Sequence, residues 1–506
     1  MSVFASHPME TVSRRPALTG AFTLAVVLVA ALLLRFLVGT NMDVSWLLTV
    51  GEKVLDGQRL YVDLIEVNPP ASVFLYLPAV WMQRITGLRA EIIVDGLMFL
   101  GIAGSMLAAG LILQSARLLE GLDRWTLASL MLAVLAILPV RTFGEREHIA
   151  ILTILPFLAL AALRAGNRPV RRSAILIAGI GAGLTIVIKP HFAIPVALVI
   201  LAAAWNARRV TPLFAPENWI AAALAIAYGV FVVLAYPDFI RDVMPMVQMI
   251  YLPMHTAAWR VVLSAPVFCS LALFVMLWRR DRERMFTPPV AQVWAACAGF
   301  CAVYFVQMKG WPYHAYPMTA LAFVPAAFML SRFREAGDAR SAHAPQSSRG
   351  LATLLPMAVI FLTGMVYFNV AENTNRLIAP IRAISTHPKM LIITSDLSVG
   401  HPLTRQAGGT WVSRVPSTWI TAGVISRRGA GPLDPQTAAR LDAYEQRDRD
   451  MLAEDIRRNK PDVIVTEREL FDWDAWARAQ PAVAEELKAY RVAAEIGYFR
   501  ILQRTD

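Results

Sequence analysis

The chain has 506 residues, of which 57% are hydrophobic and only 17% charged, with a formal net charge of +11. A soluble domain carries about 25% charged and 45–50% apolar residues, so these proportions exclude a cytosolic globular enzyme and, equally, a disordered chain. A large positive charge suggests nucleic acid in a soluble protein, but in a membrane protein it marks the cytoplasmic side.

Arg14 and Arg15 precede an apolar run from Ala17 to Val38. That run exceeds the roughly 7–15 residues of a signal-peptide core and has no small-residue cleavage site after it. It reads as an uncleaved first membrane helix. A span needs about 20 apolar residues. Ten further spans are expected at 92–114, 125–140, 149–165, 173–188, 192–206, 217–236, 261–278, 290–306, 315–331 and 351–369. Eleven spans from a cytoplasmic N-terminus place the C-terminus, and with it the C-terminal domain, on the outer, extracytoplasmic side.

The first outer loop, 39–91, holds Asn41-Met42-Asp43, a helical stretch Ser45–Leu55 ended by Asp56-Gly57, and a segment running from Tyr61 through Asp63 and Glu66 to Pro69-Pro70. Residues 71–87 tempt a twelfth span, but Pro78 interrupts them and Gln83 and Arg84 edge them. The positive-inside rule decides. With 71–87 lying on the surface, eighteen arginines fall on the cytoplasmic side and ten basic residues are spread over longer outer loops. Counted as a span, the segment would send most of the arginine-rich loops outside. It is therefore expected to be an interfacial amphipathic helix.

Three tight outer turns follow. Arg141–His148 includes Glu145, Arg146, Glu147 and His148; Lys189-Pro190-His191 is the second; Gln307–His314 includes Lys309, Trp311 and His314. A longer loop, 237–260, adds Asp238, Asp242, His255 and Arg260. Each charge costs roughly 2.5–3.5 kcal/mol at a span centre and less near the interface, so something must compensate. Any one turn reads as solvated interface, Trp311 and Tyr313 as aromatic-belt residues, and Glu145–His148 as a structural ion network. Their gathering at one leaflet points to a site. Cys269, Cys297 and Cys301 lie in apolar runs and read as packing residues.

Residues 332–350 form a polar linker expected in the cytoplasm. After Val370 the composition changes: residues 371–506 hold 19 basic and 18 acidic residues and no span-length apolar run. Strands are expected at Met390–Thr394, Asp462–Thr466 and Tyr498–Leu502, with a helix from Pro435 to Arg458. The expected fold is therefore an α-helical polytopic membrane protein of about eleven transmembrane helices (1–370), with a small extramembrane α/β domain (371–506). Of the basic excess, +10 belongs to the membrane part and +1 to the tail. It is a topology signal and gives no support to nucleic-acid binding.

The first outer loop resembles the polyprenyl-phosphate-sugar-dependent glycosyltransferases of the GT-C fold, whose relatives include protein O-mannosyltransferases and the lipid A aminoarabinose transferases. Asp43 matches the family's acidic position, and Tyr61, Asp63, Pro69 and Pro70 match its later pattern. The Glu145–His148 turn falls where these enzymes carry a second acidic motif. The resemblance covers roughly residues 15–370. Many relatives have an Asp-Glu doublet where Asp43 is followed by Val44, which leaves donor, acceptor and metal use open.

The resemblance implies an inverting transfer of a sugar from a polyprenyl-phosphate donor to an envelope glycan, lipid or protein acceptor. The place would be the outer face of a bacterial cytoplasmic (inner) membrane. A carboxylate near the surface can take the acceptor's proton, and Asp43 is the expected general base. The phosphate leaves as an anion and needs positive charge, for which Arg146, Lys189, His191, Lys309 and His314 are the candidates. Asp63, Glu66, Glu145, Glu147 and His148 form a second, acceptor-side set, and a divalent cation on Glu145, Glu147 and His148 stays open. A transporter or flippase for a lipid-linked or anionic substrate, a polysaccharide polymerase or ligase, and a sensor are the alternatives. Transporters place charges on pathways between repeats, and no repeat is visible here.

Overall fold

The structure, a computed structural model, describes residues 15–332, 346–370 and 372–505. Arg14 and positions 333–345 of the expected linker lie outside the described residues. Each of the eleven expected spans falls on a helix. Seven are long and apolar enough to cross a membrane: Gly20–Val38, Ala90–Ser115, Arg146–Ala165, Pro190–Ala207, Pro216–Ala235, Ala258–Arg280 and Pro288–Gln307. Arg124–Ile137, Arg172–Ile188 and Leu354–Phe368 are shorter apolar helices, and Pro312–Leu330 is a further, mostly buried one. The 71–87 segment breaks into Ala71–Phe74 and Leu77–Thr86, the latter starting with Pro78 in its first turn and ending at Gly87 with φ +72°. Trp81 and Ile85 are exposed along it.

Arg146–Ala165 is the axis of the bundle. Seventeen of its 20 residues are buried, whereas Pro216–Ala235 buries three. The Arg172–Ile188 helix lies tightly against this axis. At Gly181 a Cβ would stand 2.3 Å from the Thr153 carbonyl oxygen, so only glycine permits the approach. The Thr153 and Thr185 hydroxyls bond across the same contact at 2.8 Å. This packing fixes where Lys189, one residue past the helix, must stand.

Arg35, inside the apolar run of the first helix, ties that helix to the charged turn. Arg35 is buried, pairs with Asp95 at 3.2 Å and donates to the Val140 carbonyl at 2.7 Å. Val140 sits at φ +44°, a costly conformation for a β-branched residue, and the guanidinium bond helps to hold it.

The C-terminal domain is built on a five-stranded sheet of order β2-β1-β3-β5-β4. The strands are β1 Lys389–Ile393, β2 Thr410–Trp411, β3 Val463–Glu467, β4 Tyr490–Ile496 and β5 Phe499–Arg504. β1 pairs in parallel with β2 and β3, while β3–β5 and β5–β4 are antiparallel. The expected strands correspond to β1, β3 and β5, and the expected helix is Pro435–Asn459; β2 and β4 are additional.

This domain docks on the first outer loop. Arg405 bridges Glu52 and Glu91, at 2.7 Å to each. The Ile65 amide donates to the Arg414 carbonyl at 2.8 Å. His401 packs on Trp46 with ring centroids 5.2 Å apart. Removing one member of a buried ion pair strands the other charge. Arg405→Ala is therefore expected to cost ~3 kcal/mol, lowering the melting temperature of the purified protein in detergent, with Arg405→Lys recovering part. An unchanged melt would show that this bridge does not hold the domain.

Candidate active site

Asp43 enters through a local capping device. Asn41 precedes the Met42–Leu55 helix, and its side-chain oxygen accepts from the Asp43 amide at 2.7 Å. Asp43 thus lies in the first helical turn, where the free amides favour a negative charge. Gly144, at φ +80°, turns the chain into the next motif. Glu145 stands at the N-cap position of Arg146–Ala165 without a side-chain capping bond, and Glu145, Arg146, Glu147 and His148 are all buried.

These charges compensate one another. The Arg146 Nη2 lies 3.4 Å from Asp43, and the Lys189 Nζ lies 2.5 Å from Glu147. His314 Nε2 stands 3.6 Å from the same Glu147 oxygen, and Lys189 lies over the Tyr313 ring. Burial, reinforced by Asp43, holds the Glu145 carboxyl well above the usual carboxylate range. Burial also pulls the Lys189 ammonium down, and Glu147 opposes that shift. Asp43 and Glu147 are then balanced by Arg146 and Lys189. The balance leaves donors in reserve: Arg146 Nε and Nη1 are buried and have no hydrogen-bond partner among the described residues.

A cavity of about 280 Å³ opens beside this network. Asp43, Arg146 and Tyr313 line its floor, Trp46, Glu66 and Tyr251 its walls, and residues of the C-terminal domain its roof. Glu66 accepts from the Trp46 indole at 2.5 Å and from the Asn68 amide at 2.9 Å.

The remaining sequence candidates stand elsewhere. Asp63 is exposed and pairs with Arg59 at 3.3 Å, which does not bring it to the cavity. Lys309 is held by the carbonyls of Met254, at 2.8 Å, and of Tyr251, and packs on the Tyr251 ring. Burial lowers its pKa to about 8. Its ammonium thus fastens the 237–260 loop to the Gln307–His314 turn. His148 accepts from the Gly144 amide at 3.1 Å and lies between the rings of Phe143 and Tyr316. His191 contacts Phe192 and forms no bond with the charge network. Among the described residues, no group of three or more His, Cys, Asp or Glu is placed to hold a metal ion. Sequence reasoning missed Arg35 and the roof; a lone charge in an apolar helix was the available signal for the former.

No family model and no curated protein matches the chain. Solved structures do. The chain is similar to ArnT from Cupriavidus metallidurans bound to undecaprenyl phosphate, with a TM-score of 0.56 and 15% identity, over 95% of this chain and 97% of that one. It is similar to the apo state of the same ArnT with a TM-score of 0.56 and 14% identity, over 96% and 98% of the two chains. At this identity the likeness establishes the fold, and that fold is the GT-C-like one expected from the first outer loop.

Breaking one side of the Lys189–Glu147 pair leaves an uncompensated buried charge, at roughly 3–5 kcal/mol. Lys189→Met and Glu147→Gln are each expected to lower the melting temperature sharply, and the double variant is expected to be more stable than their sum. Additive losses in thermal melts would contradict the pairing.

Proposed function

We propose that the protein is a membrane glycosyltransferase that moves a sugar from a polyprenyl-phosphate donor to an acceptor hydroxyl, with inversion. The observation that supports this most is the Asp43–Arg146 pair at the cavity floor, in which the arginine keeps two unfilled donors. A guanidinium with unfilled donors suits a phosphate, to which arginine binds through charge-assisted hydrogen bonds. The crystal structure of ArnT bound to undecaprenyl phosphate lends the donor class its support, through a shared fold.

The chemistry follows from charge. The donor's phosphate takes the unfilled donors of Arg146, which weakens the hold of Arg146 on Asp43. The acceptor oxygen attacks the anomeric carbon, its proton passes to Asp43, and the bond from that carbon to the phosphate oxygen breaks. The electron pair leaves on the phosphate, which departs already anionic and needs no general acid. One base and one anionic leaving group amount to a single displacement, in contrast to the paired carboxyls of retaining glycosidases. Glu147 holds Lys189 near the phosphate position, and its positive charge adds to that of Arg146. Glu66 fixes Trp46 and Asn68 at the cavity wall.

The sidedness we propose is the one the arginines favour: N-terminus in the cytoplasm, and cavity and C-terminal domain outside. The acceptor is an envelope glycan, lipid or protein.

Asp43→Asn keeps the shape and removes the base. Transfer is expected to fall by about 10²–10⁴-fold, with expression and membrane insertion unchanged, in an assay of polyprenyl phosphate released from a lipid-phosphate sugar. Transfer within ten-fold of the parent protein would sink the assignment.

A further inference from the structure

The roof of the cavity belongs to the C-terminal domain. Ser395 and Asp396 follow β1, while Ser417 and Trp419 stand at the start of the Trp419–Gly429 helix. All four line the same cavity as Asp43 and Arg146. The two roof loops are pinned side by side, because the Thr418 amide donates to the Thr394 carbonyl at 2.7 Å. The helix is pressed down on the membrane part: a Cβ at Gly423 would stand 3.1 Å from Ile250. The roof is therefore held by a backbone bond between its loops and by close packing of its helix on the membrane part.

Its polar groups are incompletely used. One Asp396 oxygen accepts from the Ser398 amide at 2.8 Å and caps a single helical turn. The other has no hydrogen-bond partner among the described residues, and the side chain is exposed at the cavity. Trp419 is only 7% exposed, yet its indole N–H has no partner among the described residues. A buried, unpaired donor costs roughly 1–3 kcal/mol, which a ligand can recover. Aromatic surface surrounds these groups: Trp419 meets Tyr251 edge-on at 5.9 Å, and Trp311 lies 6.0 Å from the same ring. An aromatic wall with a few convergent polar groups is the usual form of a small-ligand site.

The charges select the ligand. Arg146 is the one cation among the residues lining the cavity, against the carboxylates of Asp43, Glu66 and Asp396. The nearby cations are engaged: Arg405 with Glu52 and Glu91, and Arg414 with Glu454 and Asp455. A donor that fills Arg146 with its phosphate leaves its sugar ring facing carboxylates, hydroxyls and aromatic rings. A further anionic group on that ring would meet no cation, and rejection by unmatched charge is an effective source of specificity.

We infer that the C-terminal domain reads the donor's sugar: Asp396 and the Trp419 indole N–H, in the cavity roof, bind the hydroxyls of a ring without negative charge and disfavour uronic acids. The inference rests on the proposed donor class and deepens it.

The test is binding to the full-length protein in detergent, which needs no turnover. Three probes of equal chain length are compared: a prenyl phosphate, a prenyl-phosphate hexose and a prenyl-phosphate hexuronic acid. The parent protein is expected to bind the hexose probe about ten-fold tighter than prenyl phosphate, and the hexuronic acid probe no tighter. Asp396→Asn keeps the capping bond but loses the charge. It is expected to lose most of the hexose gain, admit the hexuronic acid, and bind prenyl phosphate as before. Trp419→Phe keeps a ring and removes the N–H, and is expected to reduce the same gain. Full hexose preference in both variants would overturn the inference, as would an equal loss of prenyl phosphate affinity. A protein that shows the preference but transfers no sugar contradicts the proposed function and leaves this inference standing. One that transfers sugar with unaltered preference in the variants does the reverse, and one that binds none of the probes contradicts both.

Discussion

The arrangement depends on a single electrostatic constraint, the need to keep charge at the buried start of the Arg146–Ala165 helix without leaving any of it unpaired. Asp43, Arg146, Glu147 and Lys189 come from three separate stretches of chain, and each is tolerable only because another is near. The loop helix that carries Asp43, the tight packing at Gly181 and the break after Ile188 are required by that pairing. Glu145 joins the cluster as a buried carboxyl whose charged form is disfavoured by burial and by Asp43. The result is a paired site that still has guanidinium N–H groups without a partner among the described residues. Such a site can admit an anion without first losing a structural ion pair.

Around this core the outer parts act as supports. Lys309 spends its ammonium on loop carbonyls, and Arg405 spends its guanidinium on two glutamates of the first outer loop and its following helix. Neither is free for a phosphate, but both fix the walls of the cavity. The C-terminal domain closes the space above Asp43, so that the cavity is a joint product of the membrane part and the domain. A small cavity shared in this way lets both parts of the chain line one site.

Much of this was legible in the sequence. Long apolar runs located the helices, and the arginine asymmetry kept 71–87 out of the count of spans. The same reasoning gathered Asp43, Arg146, Glu147, Lys189 and His314 at one end, because ionisable groups at membrane depth require partners. What escaped had no local pattern. Asp63 sits in the same motif as Glu66, yet bonds backward to Arg59 and faces outward. Lys309 resembles the other tight-turn cations, but its partners are carbonyls more than fifty positions away. β2 is two residues long, and β4, at the sheet edge, buries too little to alternate. Asp396 and Trp419 reach the cavity only through the docking of a separate domain, which no spacing along the chain encodes.

The central claim is that Arg146 is shared between Asp43 and the phosphate of a polyprenyl ligand. It is tested most directly by the affinity of the purified protein for polyprenyl phosphate, measured in the parent, in Asp43→Asn and in Arg146→Met. Asp43→Asn is expected to bind at least as tightly as the parent, since a competing carboxylate is gone, and Arg146→Met to lose about ten-fold or more. Unchanged binding by Arg146→Met, or a loss of binding by Asp43→Asn, would contradict that claim.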